Sequence, residues 1–392
     1  NVNSLGFFYT LMTYYCGFSD GDEYKLMGLA PYGNPKYDLN DIIETNSDGW
    51  TLNKSYIRDN PPLKSPFEPM YSDKLVNLLK KPSRKFNQPI NQFYKDIAAS
   101  TQKQMEKCLI SLIEKLSKLS TSKNLCYSGG VALNCSANRL LLENSSFMNI
   151  YVSPLSSDRG LSLGCAYIGA EMLGDEPQPI NDVYLGKSYS QIEIFEELKN
   201  NDIKFRESED ITKDVAILLE KESIIGWFQG RSEAGARALG NRSIIASCSS
   251  SKMRDKVNSR IKFREEFRPF APSILNEEFS NYFISNEQNN NNFPYMTYAL
   301  ESKKEIRKLI PAVVHVDGTS RVQTISSSDN ECYYNLIKEY NKITKIPVIM
   351  NTSFNLKGQP IVESPRDALM TFFGSGLDYL ILENFIIDKN DS

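Results

Sequence analysis

The residues best equipped for chemistry lie between Gly226 and Phe270, GWFQGRSEAGARALGNRSIIASCSSSKMRDKVNSRIKFREEFRPF. Ten Lys and Arg stand there against four acids, a local charge of +6 in a chain of net charge −3. A basic island in an acidic chain calls for an anionic partner at that place rather than everywhere. Nucleic acid is one such partner. A small anion is another, because Gly230, Gly235 and Gly240 recur at five-residue spacing with Arg231, Arg237 and Arg242 among them. Glycine lets backbone N–H groups approach an anion closely, and guanidinium forks grip phosphate or carboxylate oxygens in pairs. The island reads as a pocket for a small phosphorylated molecule.

Further groups lie elsewhere. KIPVIMNTSFNLKGQPIV gives a hydrophobic strand ending in Asn351-Thr352-Ser353, with Asn355 and Gly358 beyond. Amide and hydroxyl groups at a strand end suit an oxygen-rich ligand, or cap the next turn. In PAVVHVDGTSRVQTI, read as strand, DGT turn and strand, Arg321 is by default a sheet-surface charge. NLCYSGGVALNCSANRLLL reads as a strand from Leu125 to Tyr127, a Ser-Gly-Gly turn and a helix. Glycines between a strand and a helix N-terminus suit a phosphate or nucleotide, and suit a plain packing turn equally. Asp158 precedes a helix starting near Gly160, an N-cap position. In DGDEYKLMGLAPYGNP, Gly28, Pro31, Gly33 and Pro35 make a tight loop after a short helical turn, on spacing alone a surface turn. His315 is the one histidine, so no metal site built on several histidines can be complete within the chain.

The 392 residues are enough for two domains with ordinary cores, and 41% hydrophobic with 24% charged residues is the composition of a globular protein. No apolar run approaches the roughly eighteen residues that span a bilayer, and no signal peptide is visible. Seven cysteines without a CxxC pair read as reduced thiols, which points to the cytoplasm. SLGFFYTLMTYYCGF (4–18) has the spacing of a buried helix, and Asn91 to Leu119 repeats apolar residues as a long core helix does. Residues 48–72 read as a loop or irregular ribbon, and NEQNNNNF (286–293) as a low-complexity loop. A strand, Asn149 to Val152, precedes the segment carrying Asp158. GDEPQPIND (174–182) marks a domain boundary. Beyond it come a strand, helix and strand over VYLGKSYSQIEIFEELKNNDIKF, a helix at 211–221 and a buried strand at 223–228. A helix at 251–260, another at 365–377 and a last strand at 379–387 complete an α/β (α+β) chain. No initiator Met is present, and a first part of about 150–200 residues is expected to be missing.

GRSEAGARALGNRSIIA followed by RIKFREEFRPFAPSIL resembles the C-terminal domain of the O-carbamoyltransferases, which carbamoylate nodulation factors and antibiotics such as tobramycin. EYKLMGLAPYG and GGVALN are similar to their N-terminal domain, so the resemblance covers almost the whole chain. Ala236 departs from it, standing where the family usually has proline. The resemblance implies the second half of a sugar-kinase/actin/Hsp70-like domain over 1–174, a linker at 175–182 and a YrdC-like domain binding carbamoyl phosphate over 183–392. Carried over, the carbamoyl-phosphate residues, with Arg237, Lys262 and Arg268 catalytic, are Arg237, Lys262, Arg268, Arg321, Asn351 and Ser353. Lys25, Gly129, Gly130 and Asn134 would bind ATP, with Glu23 nearby. Asp158 would be one ligand of a divalent metal, iron by resemblance, whose histidine ligands this chain lacks.

The chemistry implied is release of phosphate from carbamoyl phosphate, coupling of the carbamate to ATP as a carbamoyl-adenylate, and transfer to a hydroxyl of a sugar or secondary metabolite. Fixed cations suit the leaving phosphate, while Asn and Ser can read the amide. No Ser-His-Asp or Cys-His set is apparent. A threonylcarbamoyl-type tRNA modification is an alternative that GARALGNRS and DGTSRVQT fit less well. A non-catalytic binder of carbamoyl phosphate and ATP is another. No membrane partner is expected, and nucleic acid is disfavoured.

Overall fold

The computed structural model describes residues 3–46, 49–58, 70–179, 182–285 and 292–391. It divides into two compact units, Asn1–Val152 and Ser153–Ser392. The prolines 61, 62, 66 and 69 of the irregular stretch, and most of NEQNNNNF, lie outside the described residues.

The first unit opens with α1 (Leu5–Tyr15), capped by Ser4, whose Oγ accepts from the Phe7 N–H at 3.2 Å. Its apolar residues bury Leu5, Phe8, Leu11, Met12 and Tyr15. α2 (Glu23–Leu29) runs into a 3-10 turn, Ala30–Tyr32. Gly33 then lets the chain touch the next long helix, since a Cβ there would sit 1.9 Å from the Lys95 carbonyl oxygen. A hairpin of β1 (Ile43–Asn46) and β2 (Gly49–Leu52), and the helix α3 (Asp73–Leu79), were not foreseen from the sequence. α4 (Gln92–Leu119) is the expected core helix, capped by Asn91, with Phe93, Ile97, Met105, Leu109 and Ile113 buried at helical spacing. Asp96 on α4 is buried; it accepts from the Asn34 N–H at 2.9 Å and pairs with Lys36 at 2.6 Å, tying the Pro-Tyr-Gly-Asn-Pro loop to the helix. β3 (Asn124–Tyr127) and β4 (Asn149–Val152) pair in parallel around α5 (Cys135–Asn144).

The second unit begins with α6 (Leu161–Leu173) and α7 (Gln191–Asn200), the latter started by a Ser190/Glu193 capping box. Then follow β5 (Arg206–Glu207), α8 (Ile211–Glu220), β6 (Ile225–Phe228), β7 (Arg242–Ala246), α9 (Ser251–Val257), β8 (Ala271–Leu275), α10 (Phe279–Tyr282), β9 (Phe283–Ile284) and β10 (Ala299–Ser302). β11 (Thr319–Arg321), β12 (Gln323–Ile325), α11 (Glu331–Thr344), β13 (Val348–Ser353), α12 (Pro365–Phe373), β14 (Tyr379–Leu382) and β15 (Phe385–Asp388) complete it. Among the described residues the main sheet has the order β12-β8-β13-β7-β6-β14-β15-β5; β12–β8 and β6–β14 are parallel and the other neighbours antiparallel. α8 and α11 cover one face, burying Val215, Leu219, Leu336 and Ile337 against Ile225, Trp227, Ile245 and Ile381. Gly226 points to the other face, where a Cβ would meet the Phe354 ring at 2.6 Å.

Three expectations for this unit are corrected. Val183 begins no strand; its carbonyl instead accepts from the Ala234 and Leu185 N–H groups, a turn under the basic loop. Residues 311–315 form no strand: 311–313 make a turn, and the Ala312 N–H donates to Cys248 O. The last strand is a hairpin, β14 and β15, broken at Glu383, whose φ is +51°.

Candidate functional site

β6 and β7 are joined by the loop 229–241, which holds the glycines and arginines of the basic island. Glu233 closes the loop from within: its Oε1 accepts from the N–H groups of Leu239, Asn241 and Arg242 at 2.7, 2.8 and 3.2 Å. Gly240 has φ +112°, and a Cβ on it would lie 2.4 Å from the Tyr333 ring, so no other residue fits. Trp227 Nε1 donates to Gly240 O at 2.7 Å and fixes the same corner.

The two arginines of this loop, Arg231 and Arg237, and Arg242, which opens β7, divide by role. Arg242 is fully buried; its guanidinium donates to Gln229 O, Asn241 O, Lys187 O and Gly230 O and lies 3.5 Å from the Phe228 ring centroid. Arg231 donates to Gly186 O and Leu185 O, both at 2.8 Å. Both grip neutral carbonyls of their own chain, so the expectation that they grip a ligand anion is corrected. Arg237, half-buried in the loop, is the arginine the resemblance singles out.

A second segment supplies more cations. α9 continues into a π turn, Asn258–Lys262, which ends at Phe263 in the left-handed region (φ +43°). The turn directs Lys262 inward, where Nζ lies 2.5 Å from Ser353 O, 2.9 Å from both Asn355 O and Asn355 Oδ1, and 3.4 Å from Ser353 Oγ. Burial, and then the charges of Arg264 and Arg268, hold this ammonium well below the usual lysine range. All of these acceptors are neutral, and they occupy the three N–H donors of the ammonium. Lys262 therefore clamps the end of β13. Arg264 donates to Asn258 Oδ1 and Pro269 O and stacks on Phe270 at 4.3 Å. Arg268 is half-buried, 3.7 Å from Glu265.

Asn351 and Ser353 lie two apart on β13. Asn351 is buried; its Nδ2 donates to Ser273 Oγ at 3.1 Å and Gln323 Oε1 at 3.0 Å, while Oδ1 is shielded and has no partner among the described residues. Ser273 Oγ donates to Gln323 Oε1 at 2.6 Å, and Gln323 Nε2 reaches Leu239 O at 2.8 Å, so this network ties β13, β8 and β12 to the basic loop. Arg321 ends β11, and its charge adds to burial in lowering the pKa of His315. The second unit thus links Lys262, Arg268 and Ser353 around one segment. Asn351 pairs across the sheet with Ala271, the residue after Phe270. Sequence reasoning missed Glu233, Gln323 and His315; an acid inside a basic island was the one visible signal for the first.

In the first unit, Gly129 has φ +99° and nothing lies within 4 Å of a Cβ on either Gly129 or Gly130, so the turn faces open space. Asn134 caps α5, accepting from Ala137 N at 3.0 Å, and exchanges amide hydrogen bonds with Gln102. Lys25 pairs with Asp22 at 2.9 Å, and Glu23 accepts from the Thr10 hydroxyl at 2.6 Å. Asp158, in the second unit, is exposed and opens a 3-10 turn, Asp158–Gly160; no side chain caps that turn or α6, so the capping expectation is corrected. Among the described residues no three His, Cys, Asp or Glu side chains come together as a metal site. No helix there is long and apolar enough to cross a membrane.

Two family models match this chain, Carbamoyltransferase N-terminus over residues 1–167 and Carbamoyltransferase C-terminus over 216–389. Nodulation protein NolO of Bradyrhizobium diazoefficiens is 36% identical across 99% of this chain and 69% of its own length. The chain belongs to the carbamoyltransferase family. The Synechocystis protein sll1178 is 37% identical across 99% of this chain and 67% of its own length. Nodulation protein NolNO of Sinorhizobium fredii is 35% identical across 99% of this chain and 56% of its own. The chain spans between 56% and 69% of the length of these three relatives. Among solved structures, full-length HypF in its phosphate- and nucleotide-bound form aligns over 47% of this chain and 23% of its own, at 19% identity and a TM-score of 0.33, too loosely to carry an argument. The family's N-terminal match ends at residue 167, inside α6, and its C-terminal match begins within α8.

Proposed function

We propose that this chain binds carbamoyl phosphate in its second unit and transfers the carbamoyl group, through ATP, to a hydroxyl of a sugar or secondary metabolite. The observation that carries the reading is the arrangement at the end of β13. A buried lysine, its pKa lowered by burial and then by the charges of Arg264 and Arg268, clamps Ser353 and Asn355, two residues from an amide oxygen that no group among the described residues satisfies. Cations there suit a phosphate dianion, and a bare amide oxygen suits the N–H groups of a carbamoyl.

Arg237, Arg268 and Arg321 then bind the phosphate, Asn351 and Ser353 read the carbamoyl end, and Lys262 holds the end of β13 in place. Breaking the carbamoyl–phosphate bond with water gives carbamate and inorganic phosphate, and the arginines stabilise the charge on the departing phosphate. A carbamate oxygen attacks the α-phosphorus of ATP, releasing pyrophosphate and giving carbamoyl-adenylate. The acceptor hydroxyl attacks its carbonyl carbon, its proton is lost, and AMP leaves. The open turn at Gly129 and Gly130 supports a nucleotide beside the first unit's Lys25, with Asn134 holding α5 behind the turn.

The finer fold assignment belongs to the same proposal: the second half of a sugar-kinase/actin/Hsp70-like domain over 1–174 and a YrdC-like domain over 183–392. Asp158 is the residue for which the family likeness implies a metal ligand, but the described residues do not complete a metal site, and no step above is routed through one.

The test is calorimetric titration with carbamoyl phosphate, followed by phosphate release, and by pyrophosphate release once ATP is added. Saturable binding with phosphate release, and pyrophosphate only when both substrates are present, is the expected result. Pyrophosphate release from ATP alone, or no binding of carbamoyl phosphate, overturns the reading.

A further inference from the structure

Side chains from three strands and a helix form a closed hydrogen-bond set under the basic loop, in which every proton has one place to go. Gln323 of β12, Ser273 of β8, Asn351 of β13 and Tyr333 of α11 are all buried. Gln323 Nε2 lies 2.8 Å from Leu239 O, which also accepts from the Tyr184 hydroxyl at 2.9 Å. Gln323 Oε1 lies 2.6 Å from Ser273 Oγ and 3.0 Å from Asn351 Nδ2. Ser273 Oγ lies 3.1 Å from both Asn351 Nδ2 and the Tyr333 hydroxyl.

A backbone carbonyl only accepts, so Gln323 turns its NH2 to Leu239 and its oxygen to Ser273 and Asn351. That oxygen takes the single proton of Ser273 and one proton of Asn351 Nδ2, which fills both of its lone pairs. Ser273 Oγ, its own proton given away, accepts the second Asn351 proton and the Tyr333 proton. Both N–H groups of Asn351 are thereby used inside the sheet. Its Oδ1 is left over, shielded and without a partner among the described residues. Reversing the Asn351 amide would set oxygen against oxygen at 3.0 Å. The acceptor character of Asn351 is therefore dictated from Leu239, two residues along the loop from Arg237, and Gln323 transmits it.

The strand register puts Asn351 at the rim of the site. It pairs with Ala271, the first residue of β8, so β13 runs on to Ser353 without that neighbour, and Ser353 Oγ lies 3.4 Å from Lys262 Nζ. Asn351 and Ser353, two apart on the strand, share a face. A bare amide oxygen there is of no use to a phosphate dianion, whose oxygens also only accept, and suits an N–H donor on the same ligand. We propose that Gln323 is a positioning residue for donor specificity, holding Asn351 with its oxygen toward the ligand so that the second unit selects an acyl phosphate with N–H on its acyl group. The proposal rests on the carbamoyl-phosphate reading and deepens it. Acetyl phosphate is the measure of it: shape and charge are nearly the same, but a methyl group replaces the NH2 and leaves Oδ1 buried and unpaired.

Titrating the chain with carbamoyl phosphate, acetyl phosphate and inorganic phosphate, without ATP, separates these effects. The wild type should bind carbamoyl phosphate about tenfold or more tighter than acetyl phosphate. Gln323→Met keeps the length of the side chain, removes the amide and frees Asn351 to turn. It should bring the two acyl phosphates to within about twofold of each other while leaving the affinity for inorganic phosphate as it was. A role in packing alone would weaken all three ligands together, and that result overturns the proposal, as does an unchanged preference in Gln323→Met. In Ser273→Ala, Gln323 Oε1 still faces Asn351 Nδ2, so the preference should persist even where stability falls. Its loss would pass the role to Ser273 and overturn the assignment, and this variant decides should Gln323→Met not fold. Equal binding of both acyl phosphates by the wild type means that Oδ1 holds only water and removes Gln323 alone, whereas no binding of either removes the carbamoyl-phosphate reading with it.

Discussion

Arg237 lies in the loop before β7 and Arg242, five residues on, opens that strand; Arg242 is committed to the fold, whereas Arg237 is proposed to bind the ligand. Arg242→Lys keeps the charge and removes the fork. Its guanidinium spans carbonyls of Gln229 at 2.7 Å, Gly230 at 3.1 Å, Lys187 at 3.1 Å and Asn241 at 3.2 Å. An ammonium is a point donor that cannot serve both sides of that fan, so at least two buried carbonyls lose their partner. Each such loss costs about 1–3 kcal/mol, and the stack on Phe228 is lost with it. A total of about 3–5 kcal/mol follows, a large fraction of an ordinary domain's stability. For a unit of this size that is a fall of roughly 6–20 °C in melting temperature. Arg237→Ala should do the reverse: a smaller change in melting, and carbamoyl-phosphate affinity weaker by about 1.5–3 kcal/mol, or roughly 10- to 150-fold. Differential scanning fluorimetry and calorimetric titration of both variants read the two effects separately. A wild-type melt for Arg242→Lys with selective loss of ligand binding would refute the division of roles.

Other outcomes follow from single contacts. Asn351→Asp places a carboxylate 3.0 Å from Gln323 Oε1 inside the proposed anion site, and should weaken carbamoyl-phosphate binding at least about tenfold in the same titration; an equal affinity removes Asn351 from the site. Gly33→Ala sets a methyl against the Lys95 backbone at 1.9 Å, where no flexible side chain can yield, and should cost the first unit about 3 kcal/mol or more in a thermal melt. His315 ties stability to pH. Its folded pKa, about 4, lies below the unfolded value of about 6.5, so the unfolded chain binds the proton first as pH falls. Stability from this group is full above pH 6.5 and is lost toward pH 4, amounting to about 2 kcal/mol at pH 5. His315→Gln should flatten that part of a melting-temperature profile, and an unchanged slope would contradict the depressed pKa.

Much of the scaffold was legible because periodicity and caps are local. α4, α8, β4 and β13 follow from apolar spacing bounded by Asn91, Asp210 and the neighbouring loops. The failures share a cause. Val183 and the 311–315 segment have strand-like composition, but their backbone groups are claimed by distant partners, Ala234 and Cys248, that no window of sequence contains. In the site, residue types at the end of β13 were readable, since an Asn and a Ser two apart on a strand lie on one face. The buried, clamped state of Lys262 was not, because it depends on a π turn that carries no composition signature.

The basic island shows most plainly where charge counting stops. Counted along the chain, ten cations look like a surface for a polyanion. In the fold, Arg242 and Lys262 are buried, Arg231 is bound to the Leu185 and Gly186 carbonyls, and Arg264 is folded onto Phe270 and Pro269. Arg260 donates to Asp378 at 2.9 Å, Lys256 lies 3.7 Å from the same carboxylate and donates to Glu222 O, and Arg254 pairs with Asp255. Nucleic-acid binding depends on many exposed cations that each neutralise a phosphate. Here most of the island's charge is turned inward or paired, on a few loops that meet at the end of β13. That distribution favours one small dianion held deep over a long backbone tracked across a surface, and it explains why the glycines matter as much as the arginines: they let the loop close tightly enough to turn its charges inward.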